Sequence, residues 1–77
     1  MENLSDVLLR AAITRCQADI DDAKAKIALY TLNPVGVGEH PGVIEEILAA
    51  AEAGASAREK LEFLVQEVPR AQFLVES

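Results

Sequence analysis

From Leu9 onward, apolar side chains recur at Leu9, Ile13, Cys16, Ile20, Ala23, Ile27 and Tyr30. The intervals alternate four, three, four, three, the heptad spacing of a helix that packs lengthwise against another helix. A second seam of the same kind runs through Val43, Ile47, Ala50, Gly54, Ala57, Leu61, Leu64 and Val68. Between the seams, Pro34 to Gly42 holds two further Gly and a second Pro, the punctuation of a turn. The pattern predicts an all-α protein: one antiparallel helical hairpin over 1–77, with helix A at about 5–32, a Pro/Gly turn at 33–41, helix B at about 42–68 and a short tail at 69–77.

The boundaries have local causes. Asn3 or Ser5 supplies an N-cap side chain for helix A, and Asp6 sits at the positive end of its dipole. Pro34 disfavours helical backbone at Asn33 and offers no N–H. Pro41 suits the first turn of helix B, with Glu45 and Glu46 close behind, and Pro69 ends that helix. Ser56 and Glu59 match a capping box that would split helix B. The seam keeps its phase through Gly54, which favours one continuous helix. A turn centred near Val37 sets Gly54 against Ile20 with Ala57 beside Gln17 and Ile20, small residues of B meeting a large one of A, and sets Leu61 against Ile13 and Ile47 against Ile27. The tail is too short to classify from its pattern.

Both helices carry apolar residues outside their seams. Leu4 and Leu8 lie at one end of helix A, Leu29 and Leu32 at the other; Ile44, Leu48, Ala51 and Ala55 form a second stripe on helix B. A lone hairpin leaves these eight wet, and contiguous apolar patches mark interfaces. Two hairpins dimerising into a four-helix bundle would cover them. Chain length points the same way. A chain of 77 residues builds a small core, and its single cysteine, Cys16, forms no internal disulfide, so self-association is the remaining staple.

Charge narrows the partners. With 13 acidic and 7 basic residues the net charge is −6, which disfavours nucleic acid and anionic membranes. No apolar run approaches the ~20 residues of a membrane span. The opening Met1-Glu2-Asn3-Leu4-Ser5-Asp6 is acidic where a secretory signal is basic. The expectation is a soluble, intracellular protein whose partners are a second copy of itself and, beyond that, another protein.

Candidate chemistry is sparse. Gly36 to Gly42 precedes a helix N-terminus, a place that binds phosphate in other folds. Here no strand precedes it, no Lys follows, and Glu39, Glu45 and Glu46 repel anions. His40 is the lone histidine, with only Glu39 adjacent, and reads as a turn residue. Cys16 falls on the seam and reads as core. Asp19, Asp21 and Asp22 read as a solvated face neutralised by Arg15, Lys24 and Lys26; a calcium site needs more oxygens, and no Glu-x-x-His pair exists for a di-iron bundle. No catalytic residue, metal site or cofactor is expected. The alternative to an interaction protein is a small ligand-binding module or enzyme using the Gly36–Pro41 turn with His40 and Glu39.

The stretch Tyr30-Thr-Leu-Asn-Pro-Val-Gly-Val-Gly-Glu-His-Pro41, followed by a helix containing Ile-Glu-Glu, resembles a group of small uncharacterised proteins of marine tailed bacteriophages and marine environmental samples. The likeness is specific over about twelve residues and loose over both helices. It departs at Gly42, where an acidic residue is expected, and in the Ala-rich centre of helix B, where charged residues are commoner. The resemblance implies a helical hairpin of phage or marine origin, acting in the host cytoplasm if phage-encoded. It brings no activity and no site residues.

Overall fold

The computed structural model describes residues 3–32 and 42–76. They form three helices: α1 (Leu4–Leu32), α2 (Val43–Glu67) and α3 (Pro69–Glu76). α1 and α2 pack along their lengths as an antiparallel pair, and α3 folds back onto both. The result is a rod of 52 × 20 × 17 Å. Its radius of gyration, 16.0 Å, compares with about 11–12 Å for a compact domain of this length.

Asn3 is the cap that α1 uses. Its side-chain oxygen accepts from the Asp6 N–H at 2.9 Å, and its carbonyl accepts from Val7 N–H at 3.1 Å. Near the other end, the Thr31 hydroxyl donates back to the Ile27 carbonyl at 2.8 Å, which occupies an acceptor of the last turns. α2 runs unbroken through Gly54 and Ser56, so the capping-box residues there do not start a new helix.

Among the described residues the buried side chains are Ile13, Cys16, Ala23, Ala50, Ala57 and Ala71. Five lie on the two heptad seams, and the other seam positions are half-buried. Four of the six are alanines, so the hairpin is held by close approach of backbones more than by bulky side chains. Gly54 shows how close: a methyl group added there would lie 2.8 Å from the Ala23 Cβ. The mid-helix glycine costs about 1 kcal/mol of helix propensity and makes room for the neighbouring helix.

That contact corrects the expected register. Gly54 meets Ala23, not Ile20, so α1 and α2 are offset by almost one turn from the pairing that the turn's midpoint implied. The physical reason is small against small. Ala23 opposite Gly54 lets the axes approach, while Ile20 lies along the groove beside them with Ala51, Ala55 and Arg58.

A second correction concerns the number of helices, three instead of two. Val68 adopts an extended backbone, φ −120° and ψ 97°, as the residue before a proline prefers. Pro69 then opens α3 at a position where its missing N–H costs nothing. Ala71 of α3 is fully buried, at 0% exposure. Arg70 reaches across to α1, its Nε 2.7 Å from Asp6 Oδ1. That oxygen is closed off from solvent, and the approach is an ion pair without hydrogen-bond alignment. α3 thereby covers the terminal end of the α1–α2 seam.

Candidate interaction surface

All eight residues expected at an interface, Leu4, Leu8, Leu29, Leu32, Ile44, Leu48, Ala51 and Ala55, are exposed. Leu4, Leu8, Leu32, Ile44 and Leu48 are between 61% and 82% accessible, too open for side chains that belong to this hairpin's own core. They fall on two different faces. Leu29 and Leu32 stand two positions beyond the seam residues Ile27 and Tyr30, about 200° round a helix of 3.6 residues per turn, and Leu8 and Leu4 lie on the same side, about 100° and 140° round from Leu9. They point away from α2. The α2 residues stand one position beyond their seam, about 100° round, and flank it.

The outward face of α1 is longer than its leucines. Between Leu8 and Leu29 the same four-three spacing continues through Ala11, Arg15, Ala18, Asp22 and Ala25, every one exposed. From Leu4 to Leu32 the stripe reads Leu, Leu, Ala, Arg, Ala, Asp, Ala, Leu, Leu. The equivalent face of α2 carries Glu45, Glu52, Glu59 and Gln66, a polar exterior interrupted by Ala49 and Phe63. Opposite faces of the hairpin therefore differ in kind.

The charges on the α1 stripe are ordered within their helix. Arg15 Nε is 3.5 Å from Asp19 Oδ1, and Lys26 Nζ is 2.9 Å from Asp22 Oδ2, both at i,i+4. Asp19 and Asp22 of the acidic cluster are thus exposed and paired. Among the described residues, no group of three or more His, Cys, Asp or Glu converges as a metal would require. Cys16 is free and buried at 8% exposure, packed on the seam.

Where the hairpin nears its turn, Tyr30 of α1 faces Glu46 of α2. A hydrogen bond to that carboxylate, then partial desolvation, then the carboxylate's charge push the phenol pKa above its ordinary value. His40, Glu39 and the rest of the Gly36–Pro41 turn lie outside the described residues.

Four further apolar side chains are exposed that the seam analysis did not single out: Val7, Phe63, Phe73 and Val75. Phe63 borders an open, mainly apolar groove with Ala12, Cys16 and Leu64. Phe73 and Val75 belong to α3, whose helical form could not be read from eight residues. Phe63 was legible as an apolar residue on an otherwise polar face.

No family model matches this chain, and neither the curated proteins nor the solved structures yield a match. No helix among the described residues is long and apolar enough to cross a membrane.

Proposed function

We propose that this chain is a non-enzymatic interaction or assembly protein that acts through self-association, two hairpins forming a four-helix dimer. The observation that carries the reading is the kind of surface left open. Among the described residues Leu4, Leu8, Leu29, Leu32, Ile44 and Leu48 are between 53% and 82% accessible, an apolar surface of the kind that marks an interface.

A core of one isoleucine, one cysteine and four alanines supports the same reading, since so little buried volume gives a lone hairpin a small margin. The likeness of residues 30–41 to marine phage proteins supports a phage-encoded accessory factor as the setting, with a host or viral protein as further partner. Light scattering on a size-exclusion column tests self-association directly. The expected mass is twice 8.3 kDa. A strictly monomeric mass from micromolar to millimolar concentration would overturn the proposal.

A further inference from the structure

We infer that the dimer forms by antiparallel pairing of the outward face of α1 with the same face of a second copy, about a two-fold axis at Ala18. The inference rests on the self-association proposed above and assigns its surface and direction: the α1 stripe is the contact, and the α2 stripe of Ile44, Leu48, Ala51 and Ala55, on a different face, lies outside it. The stripe from Leu4 to Leu32 is nearly the same read from either end, with Ala18 at its centre. The only departure is that Arg15 on one side of Ala18 answers to Asp22 on the other.

An isologous contact places one patch on itself. Laid antiparallel, the leucines at the start of one stripe meet those at the end of the other, alanines meet alanines, and Arg15 meets Asp22 of the partner subunit. Laid parallel, Arg15 would meet the partner's Arg15 and Asp22 the partner's Asp22, two like-charge contacts that oppose association. Charge therefore selects the direction.

The in-helix pairs extend this selection. Asp19 holds Arg15 and Lys26 holds Asp22. Antiparallel docking joins them into rows of alternating sign, Asp19, Arg15, the partner's Asp22 and the partner's Lys26, once on each side of the axis. Bulk is arranged for the same geometry. The alanines near the axis let the backbones approach, and the leucines close the ends. The stripe spans about 42 Å at 1.5 Å per residue, long enough for an interface of standard size.

Two charge reversals test it. Arg15→Asp alone, or Asp22→Arg alone, puts like charges opposite each other twice in a homodimer. Each is expected to raise the dissociation constant about tenfold or more in sedimentation equilibrium at low salt. An equimolar mixture of the two variants has opposite charges at both contacts, and is expected to recover an affinity within about threefold of the unaltered protein. Helicity by circular dichroism should be unchanged, since both positions are exposed. If neither variant alters a dimer that forms normally, the interface lies elsewhere and this inference fails while self-association stands. If both weaken it and mixing does not restore it, the antiparallel register is overturned. If the unaltered chain is monomeric, the proposed function itself fails.

Discussion

α1 carries two heptad stripes on nearly opposite faces, and they meet different surroundings. The inner one, Leu9 to Tyr30, is buried or half-buried against α2 and α3. The outer one, Leu4 to Leu32, is exposed along its whole length. Both have the same spacing, so periodicity alone says that each wants a partner and not which partner. Composition separates them. The inner stripe is uncharged and holds Ile13, Ile20 and Ile27, which suits a permanent intramolecular seam. The outer one is diluted by alanines and carries Arg15 and Asp22, which suits an interface that must stay soluble when open and specify direction when closed.

The strongest way to break this contrast is to place the same charge on each stripe. Ile13 is 2% exposed, so Ile13→Asp buries an unpaired carboxylate and removes its best-packed side chain. The expected loss is about 4 kcal/mol or more, enough to unfold a chain this small in a urea titration. Leu8→Asp on the outer stripe should leave monomer helicity intact and weaken self-association about tenfold or more, read by light scattering across a dilution series. If Leu8→Asp unfolded the chain and Ile13→Asp did not, the inner and outer assignments would be reversed.

Gly54→Ala sharpens the inner half of the comparison. The substitution gains about 1 kcal/mol of helix propensity and loses about 1–3 kcal/mol by forcing a methyl group against Ala23. The net expectation is a destabilisation of about 1 kcal/mol. Adding Ala23→Gly should recover part of it in a double-mutant cycle. Strict additivity would mean that the helices do not meet at this point.

A smaller effect is expected where α3 docks. Arg70 is half exposed and Asp6 largely covered, so after solvent screening Arg70→Ala should cost roughly 0.5–1 kcal/mol. Amide exchange should quicken in α3 before it does in the α1–α2 seam.

The smallest effect is spectroscopic. Tyr30 is the single tyrosine, so its ultraviolet titration is clean. The midpoint should lie above that of free tyrosine, and Glu46→Gln should lower it. Because the folded-state pKa is raised, folding favours the protonated phenol. This contribution is therefore fully present below the ordinary phenol value near 10 and is lost as pH rises through the folded value. An unshifted midpoint would remove Glu46 as the partner of Tyr30.

Local rules determined much of this molecule. The four-three spacing settles that Leu9–Tyr30 and Val43–Leu64 are helical seams, because only a 3.6-residue period puts those positions on one face. Asn3, Pro69 and the unbroken phase through Gly54 fix where helices start, stop and continue, since caps, prolines and periodicity act within a few residues. The eight exposed apolar positions follow from the same count, as whatever is left when the seams are used. The tertiary structure decided the rest. Which residue of α1 meets Gly54 depends on how closely two backbones can approach, and the size of Ala23 overrides the midpoint of the turn. That residues 69–76 form a helix depends on Ala71 finding a buried place and Arg70 finding Asp6, contacts far away in the chain. Even the outer stripe, present in the sequence all along, acquires its meaning from the fold, because only after α2 has covered one face of α1 is the opposite face left exposed.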